Sequence, residues 1–120
     1  MPVDINDRND IIKLVNKFYE TIQTDTLLAP FFSHLDWPKH LPIMYNFWSS
    51  MMFGEQTYRA NPFEKHIHLQ IKKEHFAQWL NLFTQTVDRL FIGPRAEEIK
   101  IRAQSIAGVF EHKLALLSKP

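Results

Sequence analysis

Two stretches in the first half of the chain place apolar residues three and four positions apart, the spacing that gives an amphipathic helix one buried face. The first stretch ends near Thr24, and either Asn6 or Asp7 can cap its start. Its predicted buried face consists of Ile11, Leu14, Val15, Phe18, Tyr19 and Ile22. The second runs from Pro38, which suits a first helical turn, to Gly54, which suits a helix end. Its apolar residues are Leu41, Ile43, Met44, Phe47, Trp48, Met51 and Met52.

The second half of the chain shows the same helical period twice more. A long helix is predicted from about Lys72 to Phe91, with a face of Phe76, Trp79, Leu80, Phe83, Val87 and Leu90. Gly93-Pro94 separates it from a final helix. The buried side predicted for that helix consists of Ile99, Ala103, Ile106, Val109, Phe110, Leu114 and Leu117. No segment alternates with a period of two for long enough to be a strand, so the pattern predicts an all-α fold.

Shorter segments join these helices. Residues 26–32 predict a helical turn or two leading into a corner, and residues 63–69 predict a short helix of about two turns that carries His66. Residues 1–6 are expected to form a loosely held N-terminal segment before the first helix. The length is that of one domain, so residues 1–120 are interpreted as a single unit.

Composition and charge exclude several functional classes. The chain has 14 Lys and Arg against 13 Asp and Glu, scattered without a basic stripe, so nucleic acid is not an expected partner. The absence of cysteine excludes disulfides, thiolate catalysis and covalent haem attachment through a Cys-x-x-Cys-His motif. The polar N-terminus does not resemble a signal peptide and no apolar run is long enough for a membrane span, so a cytoplasmic protein is expected. Aromatic residues make up 13% of the chain, which suits an ordinary helical core or one that encloses a large flat group.

Histidines are the main candidates for chemistry. The six are His34, His40, His66, His68, His75 and His112, and no two are three or four positions apart. Because two ligands on one helix face need that spacing, a metal site built from side chains alone is disfavoured. Any single histidine is more often a surface or core residue than a ligand. His66, on its short helix before the long one, is nevertheless well placed to hold one imidazole over a group bound in the core.

Short runs of residues along the chain carry a resemblance when they are taken together. They are Phe18-Tyr19-Glu20, Leu28-Ala29-Pro30-Phe31-Phe32, Trp37 with His40, Asn46-Phe47-Trp48, Gly54-Glu55, Tyr58, Pro62, Lys65-His66, Leu69, Phe76, Trp79-Leu80, Leu82-Phe83, Thr86, Arg102-Ala103 and Ile106-Ala107. In this order and at this spacing the chain resembles the group III truncated haemoglobins over nearly its whole length. The lack of paired-glycine motifs, which occur in groups I and II, fits group III as well.

The resemblance implies a truncated globin fold, a two-over-two helical sandwich that encloses a non-covalent haem b. It implies that His66 is the proximal ligand of the haem iron. The distal pocket that faces a bound ligand would be lined by Tyr19, His40, Met44 and Trp79. The residues implied to contact the haem are Phe31, Phe32, Phe47, Trp48, Tyr58 and Trp79, together with His66.

The function implied by the resemblance is reversible binding of O₂ and other diatomic ligands such as CO and NO, with O₂ or NO detoxification as a further role. Nitric oxide dioxygenation and peroxidase-like chemistry use the same pocket and need a cytoplasmic reductase, so whether the protein is an enzyme stays open. A different class also fits the composition: a helical interaction module without a cofactor, in which the aromatic residues are only core.

Three residues depart from the pattern of the family. Ala60 stands where glycine is common, and Met44 replaces a branched aliphatic residue of the ligand cavity. Pro42 follows His40 by two residues and removes a helical hydrogen-bond donor. Either the helix proper begins near Leu41 or its first turn is distorted, and the orientation of His40 is left open.

Overall fold

The computed structural model describes residues 2–33, 35–55 and 71–117. Within these ranges the chain forms four α-helices, which are α1 (Arg8–Thr24), α2 (Trp37–Phe53), α3 (Lys73–Leu90) and α4 (Pro94–Leu117). A 3₁₀ turn, Ala29–Phe31, lies between α1 and α2. Apart from one isolated bridge between Val3 and Phe91, the described residues contain no β-structure.

Helix α1 lies at the centre of the described structure, since it packs against both α2 and α3, while α4 packs against α3. Its buried residues are the predicted ones, Ile11, Leu14, Val15, Phe18, Tyr19 and Ile22. Asp7 caps the helix by accepting a hydrogen bond of 3.1 Å from the backbone N–H of Asp10. The local periodicity and the cap therefore agree on where α1 begins and which face it buries.

Helix α2 begins at Trp37 and continues through Pro42, so the alternative that the helix starts near Leu41 was wrong. Pro42 is exposed, which lets water satisfy the carbonyl that loses its helical partner. The helix ends at Gly54 in the left-handed conformation, with φ of +70°. Of its predicted apolar residues only Trp48 is fully buried, because among the described helices α2 packs mainly against α1.

Helix α3 matches its predicted bounds and α4 begins at the predicted Pro94, but one predicted core residue of α4 was wrong. Ala96, Ile99, Ala103 and Ala107 are buried at spacings of three and four. Val109 is 49% exposed, because it lies two residues past Ala107 and hence about 200° around the helix. None of the described helices is long and apolar enough to cross a membrane.

The N-terminal residues are held against the rest of the protein, in contrast to the loosely held segment that the sequence suggests. Ile5 is fully buried, and the backbone N–H of Ile92 donates to the carbonyl of Val3 at 3.0 Å. The Asp4 carboxylate accepts hydrogen bonds from two N–H groups in the first turn of α4, those of Arg95 at 3.1 Å and Ala96 at 2.9 Å. A carboxylate at a helix N-terminus satisfies otherwise unpaired donors and complements the helix dipole. These contacts bind the N-terminus to the start of α4.

Gly93 makes the close approach of Asp4 possible. Its φ of +142° is a conformation that only glycine adopts readily. A Cβ atom at this position would lie 2.5 Å from Cγ of Asp4, which is too close for any side chain. The glycine between α3 and α4 is therefore required by the N-terminal cap as well as by the turn.

Replacing Asp4 with alanine is expected to lower the free energy of unfolding by about 1–2 kcal/mol near neutral pH, the range for loss of a capping acceptor. Burial raises the pKa of Asp4, but hydrogen bonds from the backbone N–H groups of Arg95, Ala96 and Ile5 outweigh it, so the pKa lies below its ordinary value of 3.8. Stability from a lowered carboxyl pKa is complete above that ordinary value and is lost as pH falls through the folded-state pKa. The difference between wild type and Asp4→Ala should therefore shrink in acid.

Urea unfolding at about pH 7 and about pH 3 measures this difference. Asp36→Ala is the matched control, because Asp36 precedes α2, is exposed and makes no side-chain capping hydrogen bond. Its effect should stay within about 0.5 kcal/mol. Equal effects of the two substitutions at neutral pH would contradict the capping role of Asp4.

Candidate functional site

Tyr19, near the end of α1, is buried, with 6% of its surface exposed. Burial raises the pKa of its phenol well above the ordinary value of 10.0, so the hydroxyl keeps its proton at neutral pH. A buried donor of this kind normally has a partner. Tyr19 can therefore donate to a polar group that occupies the same part of the core.

The rings of Phe32, Trp37 and His40 lie around Tyr19, and we call these four residues the aromatic cluster. The Tyr19 ring lies 5.3 Å from that of His40, 5.4 Å from that of Trp37 and 5.8 Å from that of Phe32, measured between centroids. The Trp37 and His40 rings are 5.5 Å apart and nearly perpendicular. The Nε2 atom of His40 is completely buried. The structure thus packs His40 against Tyr19 and resolves the orientation that the sequence left open.

Local sequence explains how these rings meet. Trp37 and His40 are three residues apart in the first turns of α2, so they share one face of the helix. Asp25 holds the preceding corner, because its carboxylate accepts from the backbone N–H of Leu28 at 3.0 Å and from the side-chain amide of Gln78 at 2.8 Å. The second bond joins the end of α1 to α3. The corner that carries Phe32 is therefore fixed to both helices.

Trp79 lies on α3 beside the aromatic cluster. Its ring stacks on that of Phe83 at 5.7 Å and meets the edge of Phe18 at 5.8 Å. The Phe18 ring in turn lies 5.1 Å from that of Tyr19. The two predicted donors of the distal pocket, Tyr19 and Trp79, therefore flank the same phenylalanine, and Trp79 is half-buried.

The predicted cofactor contacts differ in their surroundings. Trp48 is 3% exposed and stacks on Phe83 at 4.8 Å, so it forms part of the core. Phe47 is half-buried beside it, with ring centroids 5.1 Å apart, and Met44 is half-buried as well. Phe31 packs on the ring of His75 at 4.7 Å, away from the aromatic cluster. Of Phe31 and Phe32, both implied by the resemblance to contact the haem, only Phe32 contacts Tyr19.

His75 has a structural partner. Its Nδ1 atom accepts a hydrogen bond of 2.8 Å from the backbone N–H of Lys72, which caps the start of α3. The predicted ligand His66 and the predicted haem contact Tyr58 lie outside the described residues, as do His34 and His68. In the described ranges, no three His, Asp or Glu side chains come together in a way that could hold a metal ion.

A polar network fixes the end of α2, just before the segment that carries Tyr58 and His66. The Arg8 guanidinium donates to Asn46 at 2.6 Å and pairs with Glu55 at 3.3 Å. The hydroxyl of Ser49, which is fully buried, donates to the other oxygen of Glu55 at 2.6 Å. The sequence pattern does not predict this network or the place of Trp37 in the aromatic cluster, although the three-residue spacing of Trp37 and His40 is visible in it.

Comparison with known proteins agrees with the all-α fold. The protein family described as bacterial-like globin matches residues 4–112. The group 3 truncated hemoglobin ctb of Campylobacter jejuni is 31% identical over 121 residues, which cover 95% of each chain. The crystal structure of the group III truncated hemoglobin from Campylobacter jejuni superposes with a TM-score of 0.87, at 32% identity and 95% coverage of both chains. The predicted truncated globin fold is confirmed, and the chain belongs to the bacterial-like globins and, within them, to the group III truncated haemoglobins.

Proposed function

We propose that this chain binds a non-covalent haem b and, with it, binds O₂ reversibly, with CO and NO as further ligands. Membership of the globin family supports a haem-based ligand-binding protein and implies small diatomic ligands such as O₂. The observation that carries the proposal is Tyr19, a buried and protonated phenol whose ring contacts Phe32, Trp37 and His40. Such a donor suits a small polar ligand held inside the core.

The residues present fit a haem. His66 would hold the iron, and Phe32, Phe47 and Trp79 would supply flat apolar walls for the porphyrin. Attachment of the c type, through cysteine, is ruled out by the absence of cysteine, and a b-type haem held by ligation and packing is the form proposed. When bound, haem supplies an iron with an open coordination site for diatomic ligands.

The side chains of this chain would then set the behaviour of the ligand. Tyr19 stays neutral because burial raises its pKa, so it donates a hydrogen bond and does not present a charge. The indole N–H of Trp79, whose ring contacts Phe18 as that of Tyr19 does, is a second donor. The aromatic cluster would limit the access of water, which would strengthen both hydrogen bonds to an acceptor that gains negative charge. His40, with Nε2 buried, completes the wall.

A role in O₂ or NO detoxification is a further part of the proposal. Nitric oxide dioxygenation and peroxidase-like chemistry would use the same pocket and would draw electrons from a cytoplasmic reductase. Steady-state consumption of NO by the reduced protein in air, with and without a cellular reductase fraction, separates turnover from binding alone.

An absorption spectrum of the purified protein tests the proposed function. We expect a Soret band that shifts when CO is added after reduction, and a pyridine haemochrome spectrum of the b type. A helical interaction module without a cofactor gives neither signal after incubation with haem and removal of the unbound haem by gel filtration. The absence of a Soret band in reconstituted protein would therefore overturn the proposal.

A further inference from the structure

Trp37 occupies a position that the family resemblance leaves without a role. It is the first residue of α2, and its ring meets three other rings of the aromatic cluster. The ring stacks on Phe32 at 6.3 Å with an interplanar angle of 22°, and lies edge-on to His40 at 5.5 Å with an angle of 81°. It also lies 5.4 Å from the Tyr19 ring. Trp37 is therefore bound on one side by Phe32 and faces the histidine on the other.

The imidazole of His40 is held between two aromatic rings. Tyr19 meets it at 5.3 Å and 83°, and Trp37 meets it at 5.5 Å and 81°. Tyr19, Trp37 and His40 thus form a closed triangle in which each ring contacts the other two. His40 as a whole is only half-buried, and its sequence neighbours Lys39 and Pro42 are exposed. Solvent is therefore close to a side chain whose Nε2 atom is completely buried.

We propose that Trp37 is the positioning residue that holds His40 against Tyr19 and so controls how readily the pocket opens to an incoming ligand. The ligand-access half of this inference, the effect of Trp37 on ligand entry, rests on the proposed function. The positioning half, the packing of His40 by Trp37, holds for the protein with or without haem. Without the Trp37 ring, His40 keeps one of its two edge-to-face contacts. Its side chain then rotates toward solvent more often, and the path to Tyr19 opens.

The size of the effect follows from the energy of one aromatic pair. Losing an edge-to-face contact shifts a conformational equilibrium by roughly 2- to 13-fold. When opening limits ligand access, the rate of access rises by the same factor as the population of the open state. Trp37 is not proposed as a hydrogen-bond donor to the ligand, so its removal should act through His40.

Chemical labelling of histidine measures the position of His40 directly. Diethyl pyrocarbonate modifies accessible neutral imidazoles, and mass spectrometry gives a rate for each site. In Trp37→Leu we expect His40 to be labelled roughly 2- to 13-fold faster than in wild type, in line with loss of one aromatic pair. His112 is exposed on α4 and serves as the internal reference, with an unchanged rate. Trp37→Phe keeps a ring edge and should restore slow labelling.

Two further variants keep the test sharp. Trp37→Met retains a long apolar side chain without a ring. It replaces Trp37→Leu if the leucine variant does not fold, and the same faster labelling of His40 is expected in it. Lys39→Ala is the matched control, because Lys39 lies in the same helical turn and is exposed. It should leave labelling of His40 at the wild-type rate.

Flash photolysis of the CO complex tests the ligand-access half. The bimolecular CO association rate should rise in Trp37→Leu by about the same factor as the His40 labelling rate. Unchanged labelling of His40 in both Trp37→Leu and Trp37→Met would overturn the positioning role, whether or not the protein carries haem. Faster labelling of His40 and His112 alike would show general loosening and would overturn it as well. A missing Soret band would instead overturn the proposed function, and the labelling result would still decide the positioning role.

Discussion

Replacing His66 with alanine is expected to remove most of the haem from the purified protein, the largest effect that we foresee for any single substitution. The proposed haem is held without a covalent link, so the coordinate bond to one imidazole is the strongest individual contact it can make. Haem that remains through apolar contact alone would show an altered spectrum. The haem content per chain, measured as the pyridine haemochrome after reconstitution, gives the result.

His68→Ala is the control for His66. Two positions along a helix correspond to about 200° around its axis, so the two histidines of the predicted short helix point to opposite sides. His68→Ala should therefore bind haem as wild type does. Full haem content in His66→Ala, with an unchanged spectrum of the ferrous CO complex, would rule out His66 as the ligand.

Replacing Tyr19 with phenylalanine is expected to speed O₂ dissociation from the haem-loaded protein by roughly 10- to 150-fold. This factor corresponds to the loss of one hydrogen bond to a charged acceptor, about 1.5–3 kcal/mol. The substitution removes only the hydroxyl, so the ring contacts with Trp37 and His40 remain. Stopped-flow dissociation of the ferrous O₂ complex measures the rate.

The tyrosine control is Tyr45→Phe. Tyr45 lies on α2, and its hydroxyl donates to the side chain of Asn16 on α1, outside the aromatic cluster. This control loses a hydroxyl and its hydrogen bond, yet O₂ dissociation should stay at the wild-type rate. A Tyr19→Phe rate within about threefold of wild type would place the stabilising donor elsewhere.

Substitutions at Trp79 and His40 complete this comparison. Trp79→Phe should also accelerate O₂ dissociation, since it removes the second donor of the pocket. His40→Leu should change dissociation less and ligand association more, because its packing on Tyr19 and Trp37 makes it part of the wall that a ligand must pass.

Slower dissociation in Tyr19→Phe would show that Tyr19 restrains another donor, since removing it then frees a better hydrogen bond.

Parts of the candidate site were visible in the sequence because they depend on local spacing. Tyr19 lies within an apolar stripe of period 3.6, and such a stripe is buried wherever the helix packs. The direction of His40 could not be predicted in this way. It depends on Trp37 and Tyr19, which approach from two different helices, and on Pro42 being tolerated on the exposed side of α2.

The local sequence predicts the four helices, the cap of α1, the end of α2 at Gly54 and the buried face of α1, since periodicity, capping and breaking residues act within a few positions. Tertiary packing determines whether residues at the edge of an apolar stripe, or outside the predicted helices, are buried. Val109 is exposed because α4 buries the face marked by Ala103 and Ala107, and Asp4 is ordered because the start of α4 supplies its partners. Such contacts join residues far apart in the chain, and the spacing of apolar residues contains no information about which distant groups will meet.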